Sequence, residues 1–173
     1  MKLLCPLFIL IFLASCQQSE LEKKRKLSLK LPEFESKDVL SEKSYNRKSF
    51  VNSSTKAIFV HFWATWCGPC EAEFPEFIRF AKKWETKPVQ FIAFAVNDKV
   101  LAIKKYLKKF GPLPKNMTIL LDPDQLSLKF GTVKLPETYL MNSKGNYDSK
   151  YIGPQNWGAD YYSQQIEKLI LKN

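Results

Sequence analysis

Two cysteines separated by a Gly-Pro pair are the residues of this sequence best suited to chemistry. They stand in the stretch Trp66-Cys67-Gly68-Pro69-Cys70. Gly68 and Pro69 set a tight turn between two thiols that are three positions apart. The spacing therefore allows the two sulfurs to close a disulfide.

The segments on either side of this pair predict a strand that runs into a helix. The apolar run at residues 58–63 is typical of a buried strand. After Cys70, apolar residues recur at helical spacing, at Phe74, Phe77, Ile78, Ala81 and Trp84. Cys67 is thereby placed at the first turn of a helix, where unpaired N–H groups and the helix dipole stabilise a thiolate. Cys70 lies one turn further on the same face, within reach of Cys67.

The sequence of this stretch resembles that of a known family. FWATWCGPC is similar to the active site of the thioredoxin superfamily, and FWATWC followed by CEAEFPEF resembles the TlpA/ResA-type membrane-anchored disulfide oxidoreductases. The resemblance covers about residues 29–160. It implies an α/β thioredoxin fold, with a mixed central sheet flanked by helices, an N-terminal β extension and a central helical insert.

The two sulfurs are expected to have different roles. Cys67 is the candidate attacking sulfur, because it lies at the helix start and a lowered pKa supplies a thiolate near neutral pH. Cys70 is the candidate resolving thiol, which releases the substrate. Gly68 and Pro69 are expected to tune the redox potential, and the resemblance places this sequence at the reducing end of the range.

Two tryptophans and two glutamates flank the pair. Trp63 is interpreted as packing, whereas Trp66 is either a substrate contact or part of the scaffold, and both interpretations stay open. Glu73 and Glu76 follow in the first turns of the predicted helix. We interpret both as a solvated helix face, placed favourably for the helix dipole.

A second segment far along the chain is expected to join the site. Leu135-Pro136-Glu137-Thr138 resembles the family loop in which the proline is cis. The resemblance implies that Pro136 packs beside Cys67 and that the backbone of Leu135 pairs with an extended substrate. Glu137 stands where the family usually has threonine, which predicts an added charge near the mouth of the site.

His61 is the only histidine of the chain. Strand alternation places it on the face opposite Phe62, beneath the turn and toward Cys70. It is either a proton relay for Cys70 or a core histidine satisfied by a backbone carbonyl. Both interpretations stay open.

The N-terminus predicts an export signal with a lipid attachment site. Lys2 is followed by an apolar stretch at residues 3–13, which is shorter than the roughly twenty residues of a transmembrane helix. Leu13-Ala14-Ser15-Cys16 resembles a bacterial lipobox, which implies cleavage before Cys16 and lipid on its sulfur. The alternative is an ordinary secretory signal.

We therefore divide the 173 residues into a signal peptide at 1–15, a lipidated tether at 16–28 and one thioredoxin-like domain at 29–173. Of the four cysteines, Cys5 and Cys16 fall in the leader, which leaves one functional pair and no structural disulfide framework. A hydrophobic content of 45% is enough for a core without such a framework.

The remaining chain alternates predicted strands and helices, as an α/β sandwich with a mixed sheet does. Strands are expected at residues 89–96, 117–121, 138–141 and 147–152, and helices at 97–110, 125–130 and 157–171. Val100 and Phe110 are expected to face inward from the helix at 97–110. Residues 34–54 predict a hairpin added to the sheet, with Asn52-Ser53-Ser54 as a turn.

The expected function is an extracytoplasmic thiol–disulfide oxidoreductase, anchored to the membrane by lipid and acting without metal or cofactor. The resemblance implies cysteine-containing exported proteins as substrates, as in cytochrome c maturation, and a membrane thiol-transfer protein as electron donor. The alternatives are a thioredoxin-fold copper carrier and a non-catalytic adaptor.

Several other classes fit poorly. One CxxC and one histidine are too few for a structural zinc site, and Glu71 stands where haem attachment needs histidine. The net charge of +10 is mostly surface lysine, and an exported protein without a recognition motif is not expected to bind nucleic acid.

Overall fold

The strand that precedes the two cysteines lies at the centre of a five-stranded sheet in the computed structural model, which describes residues 30–172. All seven side chains of this strand, Ala57–Trp63, are buried. Aromatic and β-branched residues favour a strand, and successive side chains point to opposite faces of the sheet. The strand therefore supports an apolar core on each face.

The elements alternate as the sequence predicts. In chain order they are β1 (Glu35–Lys37), β2 (Ser44–Asn46), α1 (Arg47–Phe50), β3 (Ala57–Trp63), α2 (Gly68–Lys83), β4 (Val89–Ala95), α3 (Val100–Leu107), β5 (Met117–Leu121), α4 (Leu126–Lys129), β6 (Glu137–Asn142), β7 (Tyr147–Ile152) and α5 (Asp160–Lys172). The sheet order is β5-β4-β3-β6-β7; β3, β4 and β5 are parallel, and β6 and β7 are antiparallel to their neighbours. The predicted α/β class with a mixed sheet flanked by helices is confirmed.

The two faces of the sheet carry separate apolar cores. On one face, Phe59 and Trp63 of β3 pack with residues of α2, α3 and α5. On the other face, Val60 and Phe62 pack with residues of α1 and α4. The helix that carries the cysteines is thus fixed by the larger of the two cores.

The helical insert is shorter than predicted. Asn97 has a positive φ of 46°, and Asp98 accepts hydrogen bonds from the backbone and hydroxyl of Thr65, so α3 begins only at Val100. Val100 itself is 37% exposed, which corrects the predicted inward position. The last residues of the predicted helix, Lys108–Phe110, form a 3₁₀ turn.

The predicted N-terminal β extension is confirmed as a strand pair, but its connections differ from the prediction. β1 and β2 form a separate antiparallel pair, which contacts β5 through an isolated bridge between Asp38 and Leu120 and a hydrogen bond from the hydroxyl of Ser36 to the carbonyl of Leu121. Their connection is fixed by Asp38, which accepts hydrogen bonds from the backbone of Leu40 and Ser41. The turn at Asn52 comes after α1 and precedes β3, so it does not connect the hairpin strands.

Candidate active site

Cys67 and Cys70 are joined by a disulfide at the start of α2, with their Cα atoms 5.2 Å apart. Cys67 is the N-cap residue, and its sulfur accepts a hydrogen bond of 3.3 Å from the backbone N–H of Cys70. Cys67 keeps 7% of its surface exposed, whereas Cys70 keeps none. An incoming sulfur can therefore reach Cys67 but not Cys70.

Pro69 lies in the first turn of α2, where its missing N–H costs no helical hydrogen bond. Pro75 in the middle of the helix does remove one, because the carbonyl of Glu71 loses its partner four residues on. The hydroxyl of Tyr106 in α3 donates to that carbonyl at 3.2 Å. The insert helix thus supplies the hydrogen bond that the proline removes from the active-site helix.

The two tryptophans beside the pair have different surroundings. Trp63 is fully buried and stacks on Phe74, with ring centroids 4.0 Å apart. Trp66 is 61% exposed, and its indole N–H donates to the carbonyl of Asn97. One hydrogen bond orients the exposed ring of Trp66, so it is held against the scaffold and still available for contact.

A cleft of about 450 Å³ opens at the exposed sulfur. Trp66, Cys67 and Pro69 line one side, and residues of α4 and of the loop before β6 line the other. The exposed apolar side chains on that second side are Leu128 and Val133, which are 63% and 85% exposed. The cleft therefore offers an apolar surface directly beside the disulfide.

The peptide bond between Leu135 and Pro136 is cis, as predicted. Leu135 lines the cleft that contains Cys67, whereas Pro136 is buried and its carbonyl accepts a hydrogen bond from Gly153. The loop is thus brought to the cysteine pair. The predicted pairing of the Leu135 backbone with a substrate remains a prediction.

Glu137 does not add a charge at the mouth of the site, contrary to the prediction. Its side chain has no exposed surface, and its carboxylate lies 2.9 Å from Nζ of Lys150 and accepts a hydrogen bond from the hydroxyl of Tyr139. The strand alternation turns Glu137 away from the cleft and toward the core that contains Tyr139. Its charge is neutralised inside the protein.

Glu73 is not part of a solvated helix face, which corrects a second prediction. It is 4% exposed, and Oε1 accepts hydrogen bonds from the indole N–H of Trp157 and from the backbone N–H of Gln155. Burial raises the pKa of its carboxyl to about 7. Glu76 does lie on the surface, where it pairs with Arg79.

The helical spacing contained a signal for the burial of Glu73. It stands three residues after Cys70 and four before Phe77, and both of these residues are fully buried. Positions at this spacing share one face of a helix. The active-site face of α2 therefore carries a carboxyl that titrates near neutral pH, which the sequence interpretation missed.

His61 is fully buried on the face of β3 that packs against α2. Its ring stacks on Phe77 at 4.3 Å, and Nδ1 lies 2.8 Å from the hydroxyl of Thr138 in β6. Burial lowers the pKa of His61 to about 3, so the imidazole is neutral at neutral pH. The partner is a side-chain hydroxyl, not the expected backbone carbonyl, and the relay to Cys70 remains a prediction.

Among residues 30–172, no three or more His, Cys, Asp or Glu side chains converge on a possible metal position. No helix in that range is both long and apolar enough to span a membrane. Cys5, Cys16, the predicted signal peptide and the predicted tether lie outside the described residues.

The sequence matches the Redoxin family over residues 26–166. The thiol–disulfide oxidoreductase ResA of Bacillus subtilis is 31% identical over 62% of this chain and 59% of its own length. The ResA protein of Bacillus thuringiensis is 27% identical over 87% of this chain and 80% of its own length. The match to the first of these relatives thus spans about three-fifths of its length.

The fold has a close counterpart among solved structures. A putative thiol:disulfide interchange protein DsbE from Chlorobium tepidum superposes with a TM-score of 0.68, covering 81% of this chain and 94% of its own, at 23% identity. This likeness shows the thioredoxin fold, with the cysteine pair at the start of the helix after the central strand. The chain belongs to the Redoxin family, as a ResA-like protein that carries the cysteine pair of a thiol–disulfide oxidoreductase.

Proposed function

We propose that this protein reduces disulfides in exported proteins while attached to a membrane on the extracytoplasmic side. The observation that carries the proposal is the unequal access to the two sulfurs: Cys67 reaches the cleft at a helix N-terminus, and Cys70 is buried behind it. A substrate sulfur approaching through the cleft meets Cys67 first. Such an arrangement suits sequential exchange through one attacking and one resolving thiol.

The reaction begins from the dithiol form of the pair. The Cys67 thiolate attacks one sulfur of a substrate disulfide, which breaks that bond, forms a mixed disulfide and releases the other substrate sulfur as a thiolate that takes up a proton. Cys70 then loses its proton and attacks the sulfur of Cys67. The substrate leaves as a dithiol, two electrons have passed to it, and the enzyme is left with the Cys67–Cys70 disulfide found in the structure.

The next cycle needs an electron donor, which we propose to be a membrane thiol-transfer protein. The lipobox-like Leu13-Ala14-Ser15-Cys16 supports a lipid anchor at Cys16, and the polar residues 17–28 are long enough to separate the domain from the bilayer. Substrates in cytochrome c maturation are the finer form of the proposal, which the resemblance of FWATWCGPC and CEAEFPEF to the TlpA/ResA type implies.

The proposal is tested by the catalysed reduction of insulin with dithiothreitol as electron source, using the wild type, Cys67→Ser and Cys70→Ser. We expect activity in the wild type alone. An inactive wild-type pair would contradict the proposed enzymatic function. Stoichiometric retention of Cu(I) by the same preparation would point to a copper carrier. The midpoint potential of the pair then tests the direction of electron flow. A value of about −270 mV supports a reductant, and a value of about −120 mV supports an oxidant.

The anchor is tested separately, with the full chain expressed in a bacterial host. Wild-type protein is expected in the detergent phase after Triton partitioning, with acyl chains on Cys16 in its mass spectrum. A Cys16→Ser variant is expected in the aqueous phase. A soluble, unacylated wild type cleaved elsewhere would indicate an ordinary secretory signal.

A further inference from the structure

The carboxylate of Glu137 lies at the centre of a buried polar network beside the cleft. Glu137 directly follows the cis proline and has no exposed surface. Its Oε1 lies 2.9 Å from Nζ of Lys150, and its Oε2 lies 2.8 Å from the hydroxyl of Tyr139. Tyr139 belongs to β6 and Lys150 to β7, and the two residues are paired directly across these strands. The network therefore rests on the rigid edge of the sheet.

The same two side chains reach from the sheet to the turn at residues 130–132. The Tyr139 hydroxyl lies 3.0 Å from the carbonyl of Phe130 and 3.2 Å from the hydroxyl of Thr132. Nζ of Lys150 lies 3.4 Å from the carbonyl of Gly131. Three consecutive residues of this turn are thus tied to Glu137 through two side chains.

These contacts fix both ends of one wall of the cleft. The wall consists of residues 132–135, all of which line the cleft that contains Cys67. Its N-terminal end is held by the contacts of Thr132, and its C-terminal end leads through Pro136 to Glu137. Between these ends the wall is open to solvent, with Val133 85% exposed. Leu135, the last residue of the wall, packs against both apolar cores.

The ion pair joins a fully buried carboxylate to a lysine side chain that is 23% exposed, and such a pair is not an efficient way to gain stability. Desolvation of the two charges offsets much of their attraction, and an apolar pair of similar volume often stabilises a fold as well or better. A buried network does fix geometry, because every donor and acceptor in it has a preferred direction. Because the network contacts both ends of the wall, it can fix the conformation of the wall.

We propose that Glu137, Lys150 and Tyr139 are positioning residues that hold the cleft wall at residues 132–135 in the conformation that binds an extended, cysteine-containing polypeptide. The proposal rests on the function proposed above and deepens it by assigning these residues to substrate recognition. They do not touch the reacting sulfurs. A small disulfide that reaches Cys67 without lying along the wall is insensitive to them.

The test compares two disulfides of different size as oxidants of the reduced protein. One is a short peptide dimer joined by a single disulfide, and the other is dithiodipyridine. The variants are Glu137→Gln, which removes the charge, and Tyr139→Phe, which removes only the hydroxyl. We expect the ratio of the peptide rate constant to the dithiodipyridine rate constant to fall about tenfold in each, as expected for one buried hydrogen bond to a charged group.

Ile166→Val is the matched control, because it trims a fully buried side chain of α5 that does not line the cleft. It lowers stability without changing the ratio. The conservative double variant Glu137→Gln with Lys150→Gln, which removes both charges together, is expected to recover folding if Glu137→Gln alone does not fold, and to keep the low ratio. A ratio equal to that of the wild type in Tyr139→Phe and in either folded Glu137 variant overturns the proposal.

The control reactions separate this proposal from the function on which it rests. A wild-type protein that reacts with dithiodipyridine but with no peptide or protein disulfide would contradict the proposed function itself. A wild-type protein that reduces the peptide at the same relative rate as the network variants would contradict only the positioning role. Parallel loss of both rate constants in the variants also overturns the positioning role, since it indicates a general disturbance of the cysteine pair.

Discussion

Glu73 and Trp157 are joined by a buried hydrogen bond between positions 84 residues apart in the sequence. The indole N–H donates to Oε1 of Glu73, which also accepts the backbone N–H of Gln155 at 3.1 Å. Glu73 stands on the active-site helix α2, and its two partners stand between β7 and α5. One carboxyl therefore connects the active-site helix to the segment between β7 and α5.

The pH dependence of stability should reveal this carboxyl. Its pKa is raised to about 7 in the folded protein, so the folded state binds the proton more tightly than the unfolded chain does. Its stabilising contribution is therefore complete below the unfolded pKa of about 4.5 and is lost as the pH rises through about 7. Between about pH 5 and pH 8, the oxidised wild type is expected to lose about 2 kcal/mol of unfolding free energy that Glu73→Gln does not lose.

Urea unfolding of the oxidised protein at several pH values measures this difference, because the disulfide keeps both thiols from titrating. Glu76→Gln is the matched control: it lies three residues further on the same helix, but on the surface beside Arg79. It should keep most of the wild-type pH dependence, with a slightly smaller loss, because the charge of Glu76 is the smallest of the causes that raise the pKa of Glu73. Equal slopes for wild type and Glu73→Gln would show that Glu73 titrates as an ordinary exposed acid.

His61 should affect stability in the opposite direction. Burial lowers its pKa to about 3, so the unfolded chain takes up a proton that the folded protein does not. The contribution of the neutral imidazole is complete above the unfolded pKa of about 6.5 and is lost as the pH falls toward about 3. At about pH 5 the wild type is expected to have lost about 2 kcal/mol relative to His61→Asn, with both referred to about pH 8.

The same variant addresses the proton relay. Because burial lowers the pKa of His61 to about 3, its imidazole is a weak proton acceptor, and we expect His61→Asn to change the rate of mixed-disulfide resolution less than about twofold. Stopped-flow measurement of substrate release after mixing reduced protein with a peptide disulfide gives this rate. Several-fold slower resolution, with the attack by Cys67 unchanged, would instead support the relay.

The exposed leucine of α4 in the cleft should contribute to substrate affinity. Leu128 is 63% exposed in the cleft, and covering a leucine side chain with substrate favours binding by about 1 kcal/mol or more. Leu128→Ser is expected to raise KM for a peptide disulfide about fivefold with little change in kcat. Leu171→Ser, which removes a leucine of α5 that is 85% exposed and does not line the cleft, is the control and should leave KM unchanged. Equal effects of the two variants would rule out a role of Leu128 in binding.

The hydrogen bond that replaces the one removed by Pro75 gives a double-mutant test. Tyr106→Phe removes the donor to the carbonyl of Glu71 and should lower the unfolding free energy by about 1 kcal/mol. In a Pro75→Ala background the helix regains its own N–H at this position, so the same change should cost much less. Additive effects in urea unfolding would show that the two residues act independently.

The strand, the cysteine turn and the helix are predictable because their signals are local, whereas the cis proline is predicted only by the resemblance to the family loop. Residues 58–63 alternate between two cores, and the apolar spacing after Cys70 fits one helix face. The predicted strand at residues 147–152 coincides with β7. Each of these features depends on residues that are close together in the sequence.

Two of the errors, at Glu73 and Glu137, concern charged residues whose partners lie elsewhere in the fold. Glu73 and Glu137 were interpreted as solvent-facing because a charged side chain is costly to bury without a partner. The partners are Trp157 and Lys150, and no pattern in the neighbouring sequence identifies them. Once these donors are in place, burial becomes possible, and both glutamates become links between segments of the chain.

The central claim is that Cys67 attacks and Cys70 resolves. It is tested most directly by mixing reduced Cys70→Ser and Cys67→Ser proteins with insulin and identifying covalent adducts by mass spectrometry. We predict that Cys70→Ser accumulates a mixed disulfide through Cys67, cleaved by dithiothreitol, and that Cys67→Ser forms none. An adduct at Cys70 in Cys67→Ser, with none in Cys70→Ser, would contradict the account.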